Sequence, residues 1–421
     1  MSKKIKVLTI GDHPLSPSGV GTQTKYVCQA LLDSGKFKIL SLGGAIKHHN
    51  YNPVQVDPYG EDWKIIPVDG YGTQELLRSL LRNEKPDIVW VMTDPRFYEW
   101  LWLIENEIRP VCPIVYYHVW DNYPFPMFNQ KYYISNDYVA CISKLTHDIV
   151  KNVAPEVESS YLPHAVDGNV FAFADRQTRK NLRAKLLKSE DQEKFIFLWN
   201  TRNARRKQSG TVLWWFAEWI KDNGLETKAQ LIMHTDPGDN HGQDLLHLVD
   251  HLNLNNKEVL FSTDKLSLEN MSSLYYVADC TINISDAEGF GLATLESLSC
   301  GTPIIANMTG GLQEQVIGPD GECGVPIFPS SKAIIGSQQV PYIYEDRISQ
   351  AHFTAALNKM YNMSDEVWDE FSKRGHDHVS NNYNFNTFGQ RWVNLMSRVH
   401  KENGSWDTRV NYNGIRFGEV A

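Results

Sequence analysis

Two glutamates eight positions apart, Glu288 and Glu296, stand in the segment SDAEGFGLATLESLSCGTPIIANMTGG, residues 285–311. Glu288 follows an apolar run that reads as a buried strand, GFG opens a helix, and Glu296 lies along that helix. At about 1.5 Å of rise per residue the carboxylates are on the order of 12 Å apart, the span of a sugar, a diphosphate and a ribose laid end to end. Carboxylates accept hydrogen bonds from sugar hydroxyls. The unpaired amides of a helix start, with the positive end of its dipole, suit phosphates between them. Taken singly such glutamates are ordinary, one complementing a helix dipole and one on a wetted face. The succession strand, Glu, Gly-aromatic-Gly, helix, Glu, then CGTPII and GG is far rarer.

A second segment, FLWNTRNARRKQSG, sets Asn200, Arg202, Arg205, Arg206 and Lys207 directly after another strand. Cations at the carboxyl end of a strand neutralise a diphosphate leaving group, Arg as a planar fork and Lys as a point charge. Arg202 and Lys207 are the stronger candidates, Arg205 and Arg206 the more ordinary surface charges. The first strand of the chain ends in GDHPLSPSGVGTQTKYVCQAL, where Gly19 and Gly21 precede a helix and permit close backbone approach to an anion. GVG lacks the third glycine of a dinucleotide fingerprint, and no GK[ST] follows, so a nicotinamide dehydrogenase and a P-loop enzyme both lose ground. IVYYHVWDNYPFP places His118 and Asp121 at the end of a strand among Tyr117, Trp120 and Tyr123, groups able to meet sugar hydroxyls and ring faces. A lone histidine there is more often a satisfied core residue. The HDH triplet at His376–His378 falls inside a helical pattern, where i and i+2 do not share a face, which argues against a metal site. Asp-x-Asp, the usual mark of sugar transferases that hold the donor through a divalent cation, does not occur.

The elements that must position these groups follow from hydrophobic periodicity. Short apolar runs alternate with longer helical patterns, which predicts an α/β fold of parallel strands covered by helices on both faces. Strands are expected at 5–10, 37–42, 64–68, 87–92, 113–118 and 138–142, then at 195–199, 230–234, 259–262, 280–285 and 303–307. A single helix is expected over 97–108. A charged run between residues 155 and 194 marks a joint, giving a first domain over 1–170, a second over 171–385, and a C-terminal helix and tail over 386–421. Two doubly wound domains with a cleft between them would bind ligands at the carboxyl ends of their strands. Residues 325–345, rich in Pro, Ser and Gln, read as a long loop or small hairpin.

Composition narrows the partners. Acidic residues outnumber basic ones 50 to 41, for a net charge of −9, with 16 basic against 19 acidic residues up to 170 and 25 against 31 beyond. No overall positive field draws in nucleic acid or anionic membrane. Six cysteines without a CxxC pair argue against zinc and disulfides, and a reducing cytoplasm is the expected compartment. No run of about 18 apolar residues exists, and the basic start MSKKIKVLTIGDHP has too short an apolar stretch for a signal peptide.

Together PSGVG, HVWD, YLPHAVDGNVF, NTRNARRK, EGFGLATLE and SCGTPIIANMTGGLQE, in that order, resemble the retaining glycosyltransferase family four, GT-B proteins that include sucrose, mannosyl and lipopolysaccharide glucosyltransferases. The resemblance implies a GT-B fold of two Rossmann-like domains and transfer of a sugar, with retention, from a nucleotide-diphosphate sugar, a UDP-sugar by expectation, to a small-molecule, glycan or lipid hydroxyl. It implies that Glu288 touches the transferred sugar, that the amides of Gly289, Phe290, Gly291 and Leu292 hold sugar hydroxyls and diphosphate, and that Glu296 accepts from the ribose. Arg202 and Lys207 would pair with the diphosphate, Gly19 would reach it from the first domain, and His118 would contact the donor sugar. Tyr117, Trp120, Asp121 and Tyr123 are the acceptor-side candidates; no metal and no cofactor beyond the sugar nucleotide are expected. Ser18 replaces the first glycine of the family's usual GG. Two other readings remain: a transferase acting on hydroxymethylated DNA, for which Arg409 and Arg416 interleaved with Tyr412 and Phe417 are a local argument, and a non-catalytic scaffold that binds nucleotide sugar.

Overall fold

The computed structural model describes residues 3–254 and 257–412 and divides into two compact units. One comprises the chain up to Ala165 together with 337–341 and the segment from Phe385 onward; the other comprises 166–336 and 342–384. The joint thus falls near 165/166, and the chain returns to its first unit at the end.

The first unit is built on strands β1 (Ile5–Asp12), β2 (Phe37–Gly44), β3 (Val54–Val56), β4 (Gly60–Pro67), β5 (Ile88–Thr93), β6 (Ile114–His118), β7 (Tyr138–Cys141) and β8 (Ser159–Tyr161). They form one sheet in the order β3-β4-β2-β1-β5-β6-β7-β8, parallel except for the β3–β4 edge. All six residues of β5 are buried, which is why IVWVMT carries no polar alternation. β3 escaped the sequence because it is an edge strand of only three residues, too short to show a period.

The second unit carries β9 (Phe195–Asn200), β10 (Ala229–His234), β11 (Val259–Ser262), β12 (Cys280–Asn283), β13 (Ile304–Asn307), the short pair β14 (Ile317–Gly318) and β15 (Gly321–Glu322), then β16 (Gly324–Ile327). The sheet order is β11-β10-β9-β12-β13-β16, parallel throughout. β16 holds Pro326, which an edge strand tolerates because no ladder donor is lost to a further neighbour. β17 (Ser331–Ile335) and β18 (Ile343–Arg347) form an antiparallel hairpin, so 325–345 is an edge strand plus a hairpin rather than irregular chain. Strand order reverses on either side of β1 and of β9, and the turns leaving these strands are where such sheets place ligands.

The helix expected over 97–108 is three short turns, Pro95–Tyr98, Glu99–Trp102 and Glu105–Ile108. Ile104 bonds back to Leu101 rather than four residues away, a tighter turn that brings Ile104 into the core beside Leu101 and Ile108 while Leu103 faces out. The helix Gln350–Tyr361, capped by Ser349, was not anticipated.

The final helix, Phe385–Asn403, closes the first unit. It crosses the helix Gly19–Asp33 closely: a methyl group at Gly389 would meet Ala30 Cβ at 3.0 Å. Trp392 is fully buried between Trp90 and Tyr117, with ring centroids 5.8 and 4.8 Å away. Beyond it Arg409, with 3% of its side chain exposed, pairs with Asp137 at 2.6 Å and donates to the Arg109 carbonyl at 2.7 Å. Tyr412 lies under the guanidinium groups of Arg109 and Arg409. The nucleic-acid reading of the tail is corrected here, since Arg409 and Tyr412 are structural; Arg416 and Phe417 lie outside the described residues. Replacing Arg409 by Ala removes one partner of a buried pair and is expected to cost about 3 kcal/mol of stability. A urea unfolding curve that superimposes on the wild type's would refute this.

Candidate functional site

β9 and β12 are neighbours in the second sheet, so the turns after them emerge side by side. From the first comes Arg205–Lys207, a single 3₁₀ turn ending at Gln208 in the left-handed region, φ 60°. From the second comes Ser285–Gly291. The two are stitched together residue by residue. Asp286 N–H donates to the Arg206 carbonyl at 2.8 Å, Gln208 Nε2 donates to Asp286 Oδ2 at 2.6 Å, and Arg206 Nη1 donates to the Ala287 carbonyl at 2.5 Å. Lys207 Nζ is ion-paired with Glu288 Oε2. Only 10% of the lysine side chain and 12% of the glutamate's are exposed, so the pair is largely withdrawn from water.

Burial alone would push the Glu288 carboxyl up, but Lys207 and Arg206 outweigh it and hold it below its ordinary range. Glu288 is therefore an anion at neutral pH despite its surroundings. Asp286, 3% exposed, goes the other way: burial raises it to about 6, with the Gln208 hydrogen bond opposing.

The backbone beside Glu288 leaves no room for side chains. A methyl group on Gly310 would lie 1.8 Å from the Glu288 carbonyl oxygen, and one on Gly311 would lie 2.6 Å from Phe290 Cα. Gly311 N–H donates to that Glu288 carbonyl at 3.0 Å. The GG of ANMTGG is thus a clamp on the Glu288 turn. Gln315, fully buried, donates to the Phe290 carbonyl at 2.6 Å and accepts from Thr294 Oγ1 at 2.5 Å. Neither Gln315 nor Thr294 was singled out from sequence, where an amide and a hydroxyl on helices carry no distinguishing pattern.

Gly291, φ 92°, is the N-cap of the helix Leu292–Ser299 and offers no side-chain cap, leaving the first amides of that helix for another acceptor. Phe290 is 3% exposed and its ring packs edge-on to Tyr383, so only its backbone is available to a ligand. Glu296, one turn into the helix, is partly buried and accepts from Tyr275 Oη at 2.7 Å; Asn200 at the end of β9 donates to the same hydroxyl at 2.7 Å. Burial raises Glu296 to about 7, against the opposing Tyr275 bond. Glu296 is thus not the wetted-face residue its spacing would also allow.

Other expected groups are placed differently. Arg202, with 62% of its side chain exposed, is turned onto Asp239 at 2.6 Å and His241 Nδ1 at 2.8 Å, while Lys207 alone of the two candidate cations is on Glu288. Gly19 opens the helix Gly19–Asp33 and is exposed. Ser18 caps that helix, accepting from Gly21 N–H at 3.0 Å and donating to Asp12 at 2.7 Å, which explains a hydroxyl where the family has glycine.

In the first unit the structure corrects three expectations. Tyr117 is fully buried, its hydroxyl donating to the Leu162 carbonyl at 2.9 Å beneath Trp392. Trp120 is 6% exposed and packs edge-on against Phe128. His118 is fully buried, with Nε2 2.8 Å from Tyr133 Oη, and desolvation lowers it to about 3, so the ring is neutral. His118 and Trp120 are covered by Tyr133 and Phe128 in the chain that follows β6, and Tyr117 by Trp392 of the final helix. Asp121 and Tyr123 stay partly accessible. Among the described residues, no group of three or more His, Cys, Asp or Glu side chains gathers as metal ligands, no helix is long and apolar enough to cross a membrane, and the six cysteines are free and buried.

Residues 178–360 match the family described as Glycosyl transferases group 1. The chain is 28% identical over 174 residues to the alpha-monoglucosyldiacylglycerol synthase of Streptococcus pneumoniae, a stretch covering 41% of this chain and 37% of that protein. It spans well under half the length of the curated relatives it matches. Among solved structures, sucrose-phosphate synthase from Thermosynechococcus elongatus superimposes with a TM-score of 0.74 at 17% identity, over 95% of this chain and 100% of that one. HepE of Anabaena, in complex with UDP and glucose, gives 0.68 at 15% identity, over 94% and 100%. The chain has the GT-B fold of two Rossmann-like domains, and its residues 178–360 are similar to the glycosyl transferases of group 1.

Proposed function

We propose that the protein is a retaining, metal-independent glycosyltransferase that moves a sugar from a UDP-sugar to an acceptor hydroxyl. The observation that carries this reading is the water-shielded Lys207–Glu288 pair lying beside a helix start without a side-chain cap. A carboxylate kept ionised by two neighbouring cations accepts from hydroxyls of the transferred sugar. The amides of Gly289, Phe290, Gly291 and Leu292 take the diphosphate, and Lys207 meets the charge that grows on it as the glycosidic bond breaks. Arg202 joins by exchanging Asp239 for phosphate. Glu296 accepts from the ribose. HepE was solved with UDP and glucose, which favours uridine as the base.

Retention follows from a front-face route, in which the departing diphosphate oxygen takes the acceptor proton. Glu288 orients the sugar and is not the nucleophile, because its carboxylate is already committed to Lys207 and Arg206 stabilisation. The acceptor is a small-molecule, glycan or lipid hydroxyl.

The test is a panel of nucleotide sugars with and without EDTA, read by release of the nucleoside diphosphate and then by transfer to an acceptor library. UDP-sugars should be consumed at the same rate in chelator; a strict metal requirement contradicts the proposal. Glu288→Gln and Lys207→Ala should each lower kcat by roughly a hundredfold or more, measured below a thermal transition that also falls because the remaining charge of the pair is left uncompensated. Wild-type turnover in either variant removes its assigned role.

Glu296 gives a pH signature. Its folded value near 7 lies above the ordinary 4.5, so the native state holds a proton that the unfolded chain has released, and stability falls as pH rises from about 4.5 to about 7. Ribose recognition needs the carboxylate, so UDP-glucose affinity should rise across the same range. Glu296→Gln should flatten both dependences, with its stability relative to wild type greatest above pH 7. Calorimetric titration and urea unfolding at several pH values check this, and parallel curves for variant and wild type would defeat it.

A further inference from the structure

The hairpin β17–β18 has a use that the proposed reaction does not assign. Glu345 in β18 accepts both guanidinium nitrogens of Arg205, one at 3.1 Å, and a third donor, Arg347 Nη2, at 2.6 Å. Its side chain is 2% exposed, whereas those of Arg205 and Arg347 are 57% and 43% exposed. Withdrawing a carboxylate from water is costly, and a well-packed apolar residue would serve stability at least as well. The next residue, Asp346, donates its N–H to the Asp286 carbonyl at 2.9 Å, accepts on its carbonyl from Asn307 Nδ2 at 2.8 Å, and accepts on its carboxylate from Thr309 at 2.8 Å. Thr309 adjoins Gly310, which presses on the Glu288 carbonyl. Two adjacent residues of one strand therefore brace both sides of the Lys207–Glu288 pair: Glu345 through Arg205 in the 3₁₀ turn, and Asp346 through the Asp286 carbonyl and the Thr309 hydroxyl.

We infer that β18 is a positioning strand for sugar transfer, with Glu345 acting through Arg205 to fix the 3₁₀ turn that carries Lys207. This rests on the glycosyl-transfer reading above. Arg205 is thereby occupied by Glu345 and serves as a tether, while Lys207 remains the group that meets the diphosphate. The geometry also explains why three consecutive cations do not compete for one phosphate: each is directed to a different oxygen, Arg205 to Glu345, Arg206 to the Ala287 carbonyl and Lys207 to Glu288.

The experiment compares wild type with Glu345→Gln, Arg205→Ala, the double variant and Glu345→Asp in transfer from the UDP-sugar that the wild type uses. Stoichiometry of UDP binding measures the correctly folded fraction, and thermal unfolding is followed in parallel. The expected result is a drop in kcat of about 10- to 100-fold in Glu345→Gln, of the size produced by a displacement of about 1 Å at a reacting group. Donor KM should stay within about threefold and UDP stoichiometry should stay full. Arg205→Ala should match this loss, the double variant should add nothing to it, and Glu345→Asp should recover part of it. An active wild type with an unchanged kcat in Glu345→Gln overturns the inference, as does additivity of the two single losses or a loss explained by a reduced UDP-binding fraction. A wild type that consumes no nucleotide sugar overturns the glycosyl-transfer reading and this inference with it.

Discussion

A lysine and a glutamate taken together out of water govern the second unit. Separating either from the other would leave an uncompensated charge in a site where only about a tenth of each side chain meets solvent. The fold meets that demand by fixing both backbones before the side chains meet. Adjacent parallel strands β9 and β12 deliver the turns side by side, and hydrogen bonds from residues 206, 208 and 286 hold them at one spacing. The pair keeps Glu288 ionised, and an ionised carboxylate is what a hydroxyl-rich ring needs.

Close approach of backbones is the second constraint. Gly310 and Gly311 lie against Glu288 and Phe290 at distances that no Cβ could share, and Gln315 secures the same turn from the far side. Glu288 is thereby held by its main chain as well as by its carboxylate. The helix that follows starts at Gly291 without a polar cap, so its dipole and free amides are aimed into the same region. Backbone donors fixed in this way need not rearrange when a negative charge approaches them.

How much of this was legible in the sequence depended on whether the signal was local. Buried parallel strands such as IVWVMT announce themselves as continuous apolar runs, and EGFGLATLE carries both its turn and its helix in nine letters. Lys207 was readable as a cation after a strand, but its pairing with Glu288 depends on a 3₁₀ turn and a left-handed Gln208 that no local pattern specified. Arg205 looked like a surface charge because Glu345 is 140 residues away. Tyr117, His118 and Trp120 looked like a ligand-facing row because their burial is set by Trp392, Tyr133 and Phe128, which a strand-end reading cannot weigh. The hairpin was half legible, since Pro and Ser obscured β16 while the length of the insertion was plain.

The first unit imposes an order on folding. Its sheet is complete by Tyr161, yet Trp90 and Tyr117 acquire Trp392 as a neighbour only from the helix Phe385–Asn403, and Asp137 acquires Arg409 later still. During synthesis the apolar face formed by these strands stays uncovered while more than two hundred further residues are made, including all of the second unit. Long-range closure of this kind raises the entropy that must be lost before contacts reward it. Gly389 eases the last step, because its missing side chain lets the closing helix settle directly against Ala30. The strands of the first unit and the C-terminal helix are accordingly one cooperative structure, and substitutions along Phe385–Asn403 bear on the shape of the first unit although they lie far from it in sequence.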